Sequence, residues 1–173
     1  LLDLYDAALP EVYGYLVSRC GDRTTAEDLT SETFLAAVDA VRRDAVPHLS
    51  TAWLIGVARH KMVDHWRRVA REERRLRRVA DEPGSVAEDP WDGHIDAAVA
   101  HEVLAGLGPH HRAALTLRYL DGLSVPEVAR HLDRTVHATE ALLVRARAAF
   151  RRALPPDDPD DPSAPSERGT DHG

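Results

Sequence analysis

A single cysteine, Cys20, occurs in the 173 residues. An intramolecular disulfide and a multi-cysteine zinc site are therefore excluded, and a reducing cytoplasm is the expected compartment. Near the end of a first helix, Cys20 reads as a small buried apolar residue rather than a redox switch. Aromatics are also few: two Phe, four Tyr and three Trp. Set against abundant Ala, Leu, Val and Arg, that scarcity favours helices over sheets. No apolar run approaches the roughly 18 residues of a membrane span, and no charged-then-apolar leader is present. The sequence starts at Leu1 rather than Met, so native residues are expected upstream of it. No Gly-rich phosphate loop, HExxH pattern or nucleophile–base pair is found. Ten histidines are present, with His101, His110 and His111 close together, but no carboxylate–His pattern accompanies them. The expectation is a protein that is not an enzyme, without metal or cofactor.

Charge is plentiful and unevenly placed. The formal net charge of −7 would argue against nucleic acid if it were uniform. Residues 1–80 carry 13 basic and 12 acidic side chains, whereas residues 81–96 carry six acids and no base. Residues 97–154 carry eight bases against five acids, and residues 155–173 one base against six acids. Within the first block, residues 59–78 hold nine bases and three acids. That local patch matters more than the net charge, because attraction to phosphate is screened beyond about 10 Å.

The same divisions set the organisation. Residues 81–95 combine Pro, Gly and acids without helical periodicity and read as an acidic flexible linker. Residues 155–173 lack large apolar residues and are expected to form a disordered acidic tail. Two small helical domains remain, residues 1–80 and 96–154, so the expected fold class is all-α. Thr24–Glu27 forms a capping box that can open a helix to about Val41. Ser50 or Thr51 can cap a stretch from Ala52 to about Arg78, which admits a break near Arg59–Lys61. In the second domain, helices fit Asp96–Ala105, Pro109–Leu120, Val125–Leu132 and Val136–Ala153. Pro109 follows Gly108 at a first helical position, and Ser124–Glu127 forms a second capping box.

The strongest local pattern is Leu123–Arg152. A short capped helix, a polar turn at Asp133–Thr135 and a longer helix make a helix-turn-helix. On a 100° wheel, Leu142, Leu143, Ala146, Ala149 and Phe150 share one arc. His137, Glu140, Val144, Arg145, Arg147, Arg151 and Arg152 share the opposite arc, which is free to meet DNA. Val144 suits a thymine methyl and Glu140 a cytosine amino group, while the arginines suit phosphate or guanine. Taken alone, the same pattern fits a solvated surface helix.

Two further stripes stand in the first domain. Asp28, Glu32, Leu35 and Asp39 lie within about 60° on one helix, an acidic face suited to a basic protein surface. Lys61, His65 and Arg68 form a basic stripe near Trp53 and Trp66, the mixture that suits single-stranded DNA. Both tryptophans also read as core, and for Trp53 the core reading is preferred.

Three segments in order, AEDLTSETFLAAV (Ala26–Val38), WLIGVARHKMVDHWRR (Trp53–Arg68) and LGPHHRAALTLRYLDGLSVPEVARHL (Leu107–Leu132) with VRAR (Val144–Arg147), resemble the extracytoplasmic-function sigma factors of the sigma-70 family. Those proteins keep conserved regions 2 and 4 joined by a linker, and the resemblance covers nearly all of residues 1–153. It implies that residues 1–80 are region 2, that residues 96–154 are region 4, and that the chain directs promoter-specific initiation by RNA polymerase. It further implies that the Asp28, Glu32, Leu35 and Asp39 face docks on the β′ clamp helices of core polymerase. Arg59, His60, Lys61 and Asp64, with His65 and Arg68, would open and hold the −10 element. Glu140, Ala141, Val144 and Arg145, with Arg134, His137 and Arg147, would read the −35 element. Arg112–Leu120 would lie near the β flap, and the linker would run toward the RNA exit path. The implied partners are core polymerase and promoter DNA; an anti-sigma factor is a further partner that the resemblance admits, and no membrane is implied. His60 stands where Asn is frequent in the family, Glu140 where a base is frequent, and Asp133 where Gly is common. The alternative reading is a helix-turn-helix regulator that acts without polymerase, which leaves the first domain's two stripes unused.

Overall fold

The computed structural model describes residues 2–45, 48–76 and 96–155. The acidic linker and nearly all of the acidic tail lie outside the described residues. Among those described there are seven α-helices, one π-helical turn and no strand, the all-α class expected. The helices are α1 (Leu2–Cys20), α2 (Arg23–Arg42), α3 (Thr51–Leu76), α4 (Ala97–Gly106), α5 (Pro109–Leu115), α6 (Val125–Leu132) and α7 (Val136–Ala153), and the π turn spans Thr116–Leu120.

Helices α1, α2 and α3 pack as a three-helix bundle. On α1 the buried residues are Ala8, Val12, Leu16 and Cys20, one every four positions, which is the spacing of a single helix stripe. Helix α3 buries Leu54, Ala58, Met62, Val63, Trp66 and Ala70 on the matching period. From α2 come Ala26, Leu29 and Ala37, with Thr30 and Thr33 between them. Both threonines are tolerated inside because their hydroxyls donate to the carbonyls of Ala26 and Leu29, which leaves no orphaned donor.

Several local expectations change here. The cap of α2 is Asp22, whose carboxylate accepts the Thr25 N–H at 2.7 Å, so the helix begins earlier than Thr24. Asp22 is the better cap because it stands in extended backbone (φ −136°, ψ 146°), the geometry an N-cap requires. Helix α3 runs through Arg59–Lys61 without the break that the sequence admits there; its apolar period is unbroken. The N-terminal cap of α3 is Ser50, whose hydroxyl accepts the Trp53 N–H.

The second half packs α7 against α5 and α6. Leu142, Leu143, Ala146 and Phe150 of α7 are buried, and Phe150 is fully enclosed. Ala148 joins them, while Ala149 is half-buried. Burying such side chains is worth roughly 1.5–3 kcal/mol for each large one, and this small cluster orients the helix-turn-helix. The helices α6 and α7 fall on their expected bounds. Ser124 and Glu127 form the capping box of α6, and the Thr135 hydroxyl accepts the Ala138 N–H to cap α7. The Pro109 helix does not run regularly to Leu120: its last five residues widen into the π turn, closed by Asp121 N–H to Thr116 O at 3.0 Å.

The two halves share one apolar cluster. At their junction Gly21 has φ +77°, and a Cβ there would fall 2.9 Å from the Ala105 Cβ. Glycine is needed on both counts, the left-handed backbone and the close approach. Beside it, Arg112 donates through Nη1 to the Cys20 carbonyl at 3.1 Å and through Nε to Leu104 O at 2.9 Å. A cation from the second half thus closes the carbonyl end of α1. Burial, with Asp22 nearby, pushes the Cys20 thiol up to about 12, so Cys20 behaves as the buried apolar residue expected.

Candidate nucleic-acid interface

Helix α2 presents its acidic face outward. Asp28 and Asp39 are exposed, and Leu35, at 66% exposure, is the most exposed large apolar side chain of the described residues. Val38 and Val41 are exposed beside it. Leaving such a row in water is unfavourable unless a partner covers it. Glu32 differs from the other three, because its carboxylate pairs with Lys61 of α3 at 3.3 Å. The acidic face and the basic segment therefore touch, an arrangement the separate stripes did not reveal.

Along α3, the segment Arg59–Arg68 does not lie on one open surface. His60, Asp64 and Arg68 are exposed. Lys61 is half-buried against Glu32, and His65 is half-buried with Arg68 donating to its Nδ1 at 3.2 Å. Burial first, then the Arg68 charge, holds the His65 imidazole below its ordinary value. Arg67, absent from the sequence-derived set, sits between Asp64 at 3.7 Å and Asp133 at 3.1 Å. Trp66 is buried at 3% exposure and packs in the core, whereas Trp53 is only partly buried. Trp53 nevertheless packs against the core cluster, as its core reading expects, and Trp66 is the more deeply buried of the two. The i, i+4 period explains it, since Trp66 continues the Leu54–Ala58–Met62 row.

Arg59 is the most constrained of the set. Its Nε donates to Asp121 Oδ2 at 3.0 Å. Asp121 follows the π turn directly, and its carboxylate is 1% exposed. Tyr15 Oη donates to the same oxygen at 2.8 Å, and Arg19 Nε donates to Oδ1 at 2.8 Å. The Arg19 guanidinium in turn lies 4.0 Å from the centroid of the Tyr15 ring. Burial, then the Asp121 charge, pushes the Tyr15 phenol far above its ordinary range, so it remains a donor at any physiological pH. Sequence reading missed Asp121, Tyr15 and Arg19, because their partners are 62 to 106 residues apart. Asp121-Gly122 reads locally as an ordinary turn pair.

The exposed face of the helix-turn-helix carries most of the expected reading residues. His137 (97% side-chain exposure), Glu140 and Ala141 are exposed, and Val144, Arg145 and Arg134 are half-buried. His137 and Glu140 lie 3.9 Å apart on consecutive turns. Arg147 turns partly inward and donates through Nη1 to Tyr119 Oη at 3.2 Å, so it braces α7 on the π turn. Asp133 takes the left-handed conformation (φ 53°, ψ 51°) that makes the sharp turn between α6 and α7. The described residues hold no group of three or more His, Cys, Asp or Glu suited to a metal, and none of their helices is long and apolar enough to cross a membrane.

Residues 4–72 match the family described as sigma-70 region 2, and residues 98–150 match sigma-70, region 4. Over 159 residues the chain is 35% identical to the ECF RNA polymerase sigma factor BldN of Streptomyces coelicolor, covering 89% of this chain and 60% of that protein. The chain thus spans about three-fifths of that relative. It is 32% identical over 142 residues to the probable RNA polymerase sigma-C factor of Mycobacterium bovis, covering 82% of this chain and 77% of that one. Among solved structures it is similar to the sigma factor RpoE of Bartonella quintana, crystallised with the anti-sigma factor NepR. The TM-score is 0.53 at 24% identity, over 89% of this chain and 96% of that one. At that identity the likeness is one of fold.

Proposed function

The chain belongs to the extracytoplasmic-function sigma factors of the sigma-70 family, and on that premise we propose that it directs RNA polymerase to its promoters. The observation that carries this is the order of parts on one chain. An exposed acidic-apolar helix face, a basic helix beside it and an outward-facing recognition helix follow one another. A duplex-binding regulator needs only the third.

Each part has a physical task. The α2 face, with Asp28, Asp39 and the uncovered Leu35, offers core polymerase a docking surface whose apolar centre loses water on contact. Its acids choose a basic partner. The clamp helices of β′ are the surface we assign to it, and the β flap to the Arg112–Leu120 region. On α3, Arg59, His60, Lys61, Asp64, His65 and Arg68 line the −10 strand: cations hold phosphates, and the imidazole and carboxylate groups offer hydrogen bonds to an unstacked base. On α7, Glu140, Ala141, Val144 and Arg145, with His137 and with Arg134 of the preceding turn, enter the major groove at −35, where base edges are distinguishable. An anti-sigma factor, as found with the RpoE neighbour, would act by covering one of these faces.

Reversing the charge of Asp28 and Glu32 together should weaken co-purification with core polymerase about tenfold or more, a loss of roughly 1.4 kcal/mol, with helical circular dichroism unchanged. Unchanged capture would remove α2 from docking. Duplex binding by the free chain that is unaffected by polymerase would favour the stand-alone regulator.

A further inference from the structure

We propose that the free chain holds its own −10 segment shut, with Asp121 of the second half standing against Arg59 as a carboxylate stand-in for a DNA phosphate. The proposal rests on reading Arg59–Arg68 as the −10 contact.

Three observations carry it. First, Asp121 is built into the opposite half. Its 1% exposed carboxylate receives Arg19 and Tyr15 from α1 and Arg59 from α3, at 2.8, 2.8 and 3.0 Å. Arg19 and Tyr15 hold the anion in place, and Arg59 is the residue it occupies. A buried pair of this kind is weakly screened by salt, unlike contacts on the surface. Second, the same strip of α3 is engaged on the next turns. The His60 ring centroid lies 4.8 Å from that of His131 on α6, and Arg67 lies 3.1 Å from Asp133. Contacts from α6 and its flanking turns thus meet the side of α3 that carries Arg59, His60 and Arg67, while Asp64 and Arg68 stay exposed.

Third, the closed form is too small for a promoter. Elements centred about 25 base pairs apart are separated by roughly 85 Å of duplex, at about 3.4 Å per base pair. A compact chain of this length has a radius of gyration near 16 Å and spans roughly 40 Å. One closed molecule cannot reach both elements, so the halves must part. The contact they give up on parting is the one that covers Arg59.

The test uses the full free chain and two variants from opposite sides of the contact, Asp121→Asn and Arg19→Gln. Neither residue belongs to the DNA-reading or polymerase-docking sets. Solution X-ray scattering reads opening, and a fluorescent single-stranded DNA of randomised sequence reads access. Both variants should expand with helical circular dichroism intact and bind the DNA roughly tenfold more tightly, equivalent to about 1.4 kcal/mol. The double variant should gain little beyond the stronger single one, because both cut the same contact. With core polymerase present, variants and wild type should bind promoter fragments alike. Unchanged scattering in both variants overturns the closure, and expansion without tighter DNA binding overturns the occlusion. Should Asp121→Asn lose helix content, Arg19→Gln carries the test, since it keeps the carboxylate charged and removes only one of the donors that hold it against Arg59. Failure of wild type to initiate transcription with core polymerase would instead overturn the sigma reading, whatever the scattering shows.

Discussion

Arg67 of α3 reaches across to Asp133, the residue whose left-handed backbone turns α6 into α7, with Nη2 3.1 Å from Oδ2. Helix α3 and the helix-turn-helix turn thus share an ion pair, but a mostly exposed one: the Asp133 side chain is 82% exposed. Such pairs contribute about 0–1 kcal/mol, whereas a non-glycine residue at φ 53° costs about 1–2 kcal/mol. Asp tolerates that region better than most. Asp133→Gly should therefore be neutral or stabilising by up to about 1 kcal/mol in thermal unfolding. A loss larger than that would mean that the ion pair, not the backbone, dominates the turn.

Asp22→Ala should destabilise the chain by about 1 kcal/mol, the usual cost of a lost N-cap, while Thr24→Ala should change little. Slight burial works against the Asp22 carboxylate, but the hydrogen bonds from Thr25 outweigh it and hold the pKa below the ordinary value. The group is depressed on folding, so its contribution is complete above the unfolded pKa near 3.9 and is lost as pH falls through the lower folded value. Denaturant unfolding at neutral and acid pH would show the wild-type advantage shrinking in acid. Equal losses for the Asp22 and Thr24 variants would return the cap to Thr24.

Closure itself should respond to acid. Burial first, then His60 and Arg59 from α3 and Arg130 on its own helix, hold the His131 imidazole below its ordinary value, with Asp121 opposing them. The closed form therefore takes up a proton less readily than the open form, whose ring titrates near pH 6.5. Closure is at full strength above about pH 6.5 and weakens as pH falls below it toward the depressed value. Scattering at about pH 7.5 and about pH 5.5 should show expansion in acid, and His131→Gln should reduce that response. An identical response in the variant would place the sensor elsewhere.

Selection of binding sites in randomised duplexes, with polymerase bound, should separate wild type from Glu140→Lys at the −35 element. Arg145→Ala should weaken binding without moving the preferred sequence as far. A single good base contact is worth roughly 1–3 kcal/mol of discrimination. The same motif for wild type and Glu140→Lys would remove Glu140 from the readout.

Where the fold was legible in the sequence, local chemistry decided it. The bounds of α6 and α7 follow from Ser124, Glu127 and Thr135, side chains that satisfy helix-end N–H groups within three residues. The exposed position of Leu35 follows from its place on a polar stripe. What was not legible depended on distance. The π turn costs hydrogen-bond geometry within the helix and persists only in its packed setting, and Arg147 turns inward because that turn sets Tyr119 within reach. That Trp66 is buried more deeply than Trp53 depends on the row of α3 it continues, Leu54, Ala58 and Met62. Asp121 looked like half of a turn until α1 and α3 brought three donors to it.

The most direct measurement is run-off transcription on genomic fragments with purified core polymerase, with and without the chain, and mapping of the RNA 5′ ends. The expected result is a small set of discrete starts that depend on the chain and share upstream −10 and −35 sequences. Charge reversal at Asp28 and Glu32 should abolish them. A pattern indistinguishable from core polymerase alone, with the added chain folded and in excess, would contradict the central claim.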